Sequence, residues 1–235
     1  MSAKLHFHRD QNGPMPSRMC GRYALKIPEG EEFFDTFAIT GSRYRPATRF
    51  DVRPGTPVDV VRLDNEGKRE MAAIPWMFHH GPDRQHPNAK GENLKRVPAY
   101  RENFPFRRCI VPATGYYEWK EIAPKVKQRF YFTRRDGQFI AFPALYTEKE
   151  DQLATITAPP SEDIATVHDR MPVILEAEHW KRYLDPEPLS DDERKAMIAT
   201  SPAGLLQFWP VANKATGEEL TRPIDPPASQ ADLFA

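Results

Sequence analysis

Four short stretches of the 235-residue chain hold residue types that do chemistry. Cys20, in RMCGRYAL, places a thiol at the head of a strand-like segment. Asn88, Lys90 and Glu92 share the glycine-containing loop PNAKGEN. Glu118 sits between aromatics in GYYEWK, and His168 in TVHDRMPVIL stands just before a strand. A thiol is a nucleophile, imidazole and carboxylate transfer protons, and an amide orients a polar group without acting as a base. Singly, each also has a structural reading. Asn88 can shape a turn, Glu118 can be the solvent side of a strand, and His168 can cap a short helix. Asp169 and Arg170 can be an ordinary surface pair. A cysteine near a terminus can be buried filler.

The elements that must position these groups read mostly as strands. RYALKI, PVDVVRL, EMAAIPWMF, RCIVPATGYYEW, RFYFTRR, FIAFPALYT, LATITA, MPVILE and LQFWPV are apolar or alternating runs. Asp136–Gly137 in TRRDGQF predicts a tight hairpin between two of them. Helices are predicted in EGEEFFDTFAI, AEHWKRYL and SDDERKAMIA, the last with the capping-box spacing of Ser190 and Glu193. The 24 prolines, spread throughout, imply many short elements joined by ordered loops. The expected fold is α+β: one compact domain on a mainly antiparallel, barrel-like sheet with a few short helices.

Charge and cysteine content narrow the function classes. Lys+Arg and Asp+Glu both number 33, so any affinity for nucleic acid must come from a local patch. No stretch approaches a membrane span, and residues 1–18 lack the apolar centre of a signal peptide. Two lone cysteines without an export signal read as reduced thiols in a cytoplasmic protein, with Cys109 as packing. The histidines do not cluster at metal-ligand spacing, so neither metal nor cofactor is expected.

Taken together the stretches resemble the SRAP family (SOS-response-associated peptidase), whose members process abasic sites by crosslinking to damaged single-stranded DNA. The matching pieces are MCGRYAL, FDVRPGTPV, PNAKGENLKRVPAYR, RRCIVPATGYYEWK, RFYF, ATITAPPSEDIATVHDRMPVIL and WPV, in the family's order from residue 19 to about 224. The resemblance implies that Cys20 is the catalytic cysteine, working as the mature N-terminal residue, with Asn88, Glu118 and His168 as the other active-site residues. It places Arg22, Trp76, Lys90, Arg101 and Trp119 where the family contacts DNA, and Thr157 near the same pocket. The implied partner is single-stranded DNA with abasic sites, bound by a monomer that is nucleoid-associated if the source is bacterial.

An abasic nucleotide opens to an aldehyde, and an N-terminal cysteine offers it an amine and a thiol. The amine condenses to an imine, and the thiol closes a five-membered thiazolidine. No internal cysteine can do this, because its nitrogen is an amide. An α-amine has a pKa of about 7.7–8, so a useful fraction is neutral at neutral pH. The prefix 1–18 is therefore expected to be missing from the mature protein, either because translation starts at Met19 or through autoproteolysis at Cys20. A retained prefix would fit a non-enzymatic binder of modified DNA. A cysteine hydrolase using Cys20, His168 and Asn88 is a further alternative.

Four positions in three motifs depart from the family pattern. NARxET is here NAKGEN, with Lys90 and Asn93; the Asn of N-V-x-P is Asp51; and Trp–Gly is Trp76–Met77. The tail, residues 225–235, reads as flexible. Its Gln230, Asp232, Leu233 and Phe234 resemble the pentapeptide that binds the bacterial replication sliding clamp.

Overall fold

The run RCIVPATGYYEWK is continuous in sequence but divides at Thr114 between two sheets. The computed structural model describes residues 21–79 and 85–224. Cys20, the prefix 1–18 and the clamp-like residues Gln230, Asp232, Leu233 and Phe234 lie outside the described residues. The first half of the chain forms β1 (Tyr23–Leu25), α1 (Glu32–Thr36), β2 (Arg49–Val52), β3 (Pro57–Leu63), β4 (Arg69–Pro75), β5 (Phe78–His79), β6 (Gln85–His86), β7 (Asn88–Lys90) and α2 (Pro98–Asn103). The second half forms β8 (Arg108–Ala113), β9 (Gly115–Ala123), β10 (Val126–Arg134), β11 (Ile140–Tyr146), β12 (Leu153–Ala158), β13 (Met171–Pro172), α3 (Ala177–Leu184), α4 (Asp191–Met197) and β14 (Leu206–Val211).

The first sheet runs β14-β10-β9-β1-β2, and the second runs β13-β12-β11-β8-β3-β4 with β7 on β12. All of these pairings are antiparallel except β7 on β12. The expected α+β class on mainly antiparallel sheet is what the chain forms, although neither sheet closes into a ring among the described residues. Tyr23 and Tyr116 of the first sheet meet Phe142 of the second, with ring centroids 6.1 and 6.2 Å apart. These contacts belong to one apolar core shared by both sheets.

Gly115 makes the crossing between the sheets feasible. A Cβ there would come within 2.3 Å of the Tyr131 ring and 2.4 Å of the Phe132 carbonyl. Only glycine lets the two strands approach so closely.

Two local expectations are corrected. Gly137 does turn the chain, with φ +74° and its N–H 3.2 Å from the Arg134 carbonyl. The turn does not make a hairpin, because β10 pairs with β9 and β14 while β11 pairs with β8 and β12. Phe139 just beyond it packs at 5.5 and 5.6 Å from Phe33 and Phe37, which draws the chain into the second sheet. MPVILE is a strand only at Met171–Pro172, and Val173 and Leu175 continue it with separate bonds to Ile156 and Ala141 carbonyls.

The predicted helices are present but short. α4 carries its full capping box: the Glu193 N–H donates to Ser190 Oγ (3.2 Å), and the Ser190 N–H to Glu193 Oε2 (2.8 Å). Arg182 of α3 donates to both Glu193 oxygens, so the cap also ties the two helices together.

Candidate active site

β9 enters the core with both faces covered. Tyr116, Tyr117 and Glu118 are all buried, and Glu118 is 1% exposed. The solvent-side reading of Glu118 is therefore excluded. On the neighbouring strand Phe130 lies opposite Glu118 and Phe132 opposite Tyr116, so the carboxyl emerges among aromatic rings. A carboxylate in such a place needs a polar counterpart. His168 supplies one: its Nε2 is 3.7 Å from Glu118 Oε2.

His168 is held by the turn before it. Residues Ile164–Thr166 form a short 3-10 helix, and the His168 N–H donates to the Ile164 carbonyl (3.1 Å). The Asp163 side chain caps that helix, accepting from the Ile164 N–H (3.0 Å), the Ser161 hydroxyl (2.6 Å) and the Gly204 N–H (2.9 Å). Burial acts to raise the Asp163 pKa, but these hydrogen bonds outweigh it and hold the carboxyl below the usual range.

The contacts of the ring suit either tautomer. The Arg170 backbone N–H points at Nδ1 (3.1 Å), and an amide N–H can only donate. Nε2 faces Glu118. Asp169 Oδ1 (3.1 Å) and the Arg170 carbonyl (3.2 Å) also lie against Nδ1 and can receive a proton placed there.

Asn88 begins β7, the strand running parallel to β12. It is buried, and the Thr155 hydroxyl donates to its Oδ1 (2.6 Å), which fixes Nδ2 as the donating end. The Tyr100 hydroxyl of α2 reaches the Asn88 carbonyl at 3.4 Å. Gly91 follows because a Cβ there would meet Ile198 at 2.5 Å.

One residue of the site was not legible in the sequence as such. Arg170 is 8% exposed, not half of a surface pair. It donates to both Glu92 oxygens (2.8 and 3.0 Å) and to the Thr157 carbonyl (2.9 Å) and hydroxyl (3.3 Å). Thr157 itself is fully buried. Arg170 therefore joins the His168 segment, β12 and the Asn88 loop. The only available signal was the charge itself, since nothing in the spacing of Glu92 and Arg170 foretells their pairing.

The residues expected at DNA fall into separate places. Arg22 lies over the Trp119 ring, 5.4 Å from its centroid, and faces Asp51 at 3.5 Å. The Tyr117 N–H donates to the Arg22 carbonyl (2.9 Å), extending the β1–β9 ladder toward Gly21 and Glu118. Lys90 is exposed at the end of β7, and Arg101 is exposed on α2 beside Leu94, Phe104 and Leu189. Trp76 is 2% exposed, packs edge-on against Tyr23 and donates through Nε1 to the Pro87 carbonyl (2.8 Å). Its indole offers no open face for a base, so its place here is structural: it anchors the residue before Asn88. Cys109 is buried, and its burial pushes the thiol well above the usual range. The packing role expected of it matches that position.

Known proteins are similar to this chain in fold or in sequence. A phage-related protein from Bordetella bronchiseptica superimposes with a TM-score of 0.69 at 24% identity, over 87% of this chain and all of that one. The abasic site processing protein YoqW of Bacillus subtilis is 29% identical over 211 residues, 83% of this chain and 93% of its own. The abasic site processing protein YedK of Escherichia coli is 27% identical over 226 residues, 88% of this chain and all of its own. The model of the SOS response associated peptidase family matches residues 19–216, and the chain belongs to that family.

Proposed function

We propose that this chain processes abasic sites in single-stranded DNA by covalent capture through Cys20. The observation that carries the reading is the Glu118–His168 pair. Its buried carboxyl, Glu118, stands on the strand that pairs with β1, whose ladder leads to Gly21, the residue bonded to Cys20.

In the proposed reaction the α-amine of a mature N-terminal Cys20 attacks the aldehyde of the ring-opened sugar. The nitrogen gives up a proton to the former aldehyde oxygen and the carbinolamine forms. Glu118 supplies the proton with which the hydroxyl leaves as water, and takes back the remaining proton of the nitrogen, giving the imine. The thiol then adds to the imine carbon, its proton passing to the imine nitrogen, and the thiazolidine closes. His168, whose Nε2 faces Glu118, acts on the ring-opened sugar oxygen or on the thiol. Asn88 holds the aldehyde oxygen or the amine through its amide. Arg22, Lys90 and Arg101 meet phosphates, and Trp119 stacks on a base.

The chemistry requires a free α-amine, so residues 1–19 must be absent or be removed. Removal by Cys20 attacking the Met19 carbonyl would use the same Glu118 and His168, making the protein its own peptidase. Membership of this family and similarity to two abasic site processing proteins support this reading. The test is a denaturing gel of protein starting at Cys20, incubated with an abasic single-stranded oligonucleotide. A heat-stable shifted band is expected. Its absence, or an equal band from Cys20→Ala, refutes covalent capture through Cys20.

The tail is proposed to bring the enzyme to replication forks. Leu233 and Phe234 would enter a pocket of the sliding clamp as adjacent apolar anchors, with Gln230 bonding at its edge. Fluorescence anisotropy of a labelled peptide of residues 225–235 against purified clamp tests it. Binding should vanish when Leu233 and Phe234 become alanine.

A further inference from the structure

Two guanidinium groups contact one carboxylate beside Trp119, and a third lies against the same ring. Asp51, on β2, accepts through Oδ2 from Arg53 Nε (2.9 Å) and from Arg53 Nη2, while its Oδ1 lies 3.5 Å from Arg22 Nε. Arg22 and Arg129 both lie against the Trp119 ring, 5.4 and 5.7 Å from its centroid, and Arg129 is 5.7 Å from the Tyr117 ring. Burial, together with the neighbouring positive charges of Arg22 and Arg53, holds the Arg129 guanidinium below its usual range, with Asp51 acting in the opposite sense.

The cluster is incompletely satisfied. Arg129 is 3% exposed; its Nη2 donates to the Asn213 carbonyl, yet its buried Nε has no hydrogen-bond partner. The buried Asp51 Oδ1 has no hydrogen bond either. With Asp51 against Arg22 and Arg53, and Arg129 on the same tryptophan, the cluster holds an excess of two positive charges. A phosphate group carries oxygens arranged for the guanidinium fork, and such pairs are stronger than the loose contact that Arg22 now has. Arg53, with a half-exposed side chain, has room to reorient.

We infer that Arg22, Arg53 and Arg129 form a subsite for a phosphate group, and that Asp51 is a built-in competitor for it. The ligand is a phosphodiester of a bound strand or a free polyphosphate. Only the first of these rests on the reading of the protein as a single-strand binder. Asp51 lowers the affinity for any strand whose phosphate enters the subsite. A strand then stays bound only when other contacts add to that one.

The test uses the full chain and two probes. Tripolyphosphate binding is followed by tryptophan fluorescence, since two of the guanidiniums lie against the Trp119 ring. A labelled oligothymidylate is followed by anisotropy over a range of potassium chloride. Asp51→Asn, which keeps the shape and removes the charge, should tighten tripolyphosphate binding about five- to tenfold. It should steepen the logarithmic salt slope for the oligonucleotide by about 0.7, the increment of one phosphate contact on a single strand. Arg53→Ala should weaken both. If both variants bind tripolyphosphate within twofold of the parent, the subsite is refuted. If tripolyphosphate responds and oligothymidylate does not bind, the subsite holds and the single-strand reading fails. If oligothymidylate binds and neither variant changes it or tripolyphosphate, that reading holds and the subsite falls.

Discussion

Arg170 reaches from the segment just after His168 to Glu92 in the Asn88 loop, with both guanidinium contacts within 3.0 Å. This one fork fixes the relative position of two loops that carry catalytic candidates. It also explains why a buried arginine stands beside a histidine without facing it: the side chain leaves toward Glu92 and Thr157, while the backbone N–H serves the ring.

Arg170→Ala removes a buried cation and leaves Glu92 unpaired. Breaking a fully buried pair costs about 3–5 kcal/mol, and with half of Glu92 in solvent about 2 kcal/mol is expected. Arg170→Lys should recover part of the stability but not the adduct rate, because lysine cannot form the fork. Urea unfolding and single-turnover crosslinking measure the two separately. Equal loss of both in Arg170→Lys would contradict a positioning role.

The same pair gives a pH dependence. Burial opposes ionisation of Glu92, but hydrogen bonds and charge from Arg170 lower its pKa overall. A depressed carboxyl contributes stability that is complete above its unfolded pKa, about 4.3, and is lost as pH falls through the lower folded value. Denaturant midpoints from pH 6 down to pH 3 should therefore fall less steeply in Glu92→Gln than in the parent. Parallel curves would show that the pair adds nothing to acid stability.

Glu118→Gln keeps the shape of the side chain and removes its proton chemistry. Adduct formation should slow by roughly a hundredfold or more, the ordinary range for lost acid–base catalysis. Affinity for an intact single strand should stay within about twofold, since Glu118 is buried away from solvent. Anisotropy with an undamaged oligonucleotide, beside the adduct time course, separates the two. A matching loss of affinity would make Glu118 a structural residue.

Ser190→Ala should cost about 1 kcal/mol through the lost cap of α4, lowering Tm by about 2–4 °C. The adduct rate should not change. Calorimetry checks the first statement, and a changed rate would show that α4 couples to the site.

Much of this was legible because it is local. The capping box of Ser190 and Glu193 is a three-residue spacing, and the strand runs announce themselves by alternation. The boundaries failed where distant packing decides. Asp136–Gly137 has hairpin chemistry, yet the burial of Phe139 beside Phe33 and Phe37 sends the chain elsewhere. At the site, Asn88, Glu118 and His168 were found through motif resemblance. Their geometry depends on Arg170 and Glu92, which are 78 residues apart. Trp76 shows the converse. An aromatic at a DNA-contact position in the motif is here a core residue, because its indole nitrogen has a carbonyl to satisfy inside.

The central claim is that Cys20 captures the abasic aldehyde with both its amine and its thiol. Protein starting at Cys20 is incubated with an abasic oligonucleotide, digested with nuclease and protease, and analysed by mass spectrometry without borohydride. The account predicts that the N-terminal Cys20 peptide carries the sugar remnant, at the summed mass of the two less one water, and that the adduct survives heating. A remnant on a lysine that persists only after borohydride reduction, or an undiminished adduct in Cys20→Ala, would contradict it.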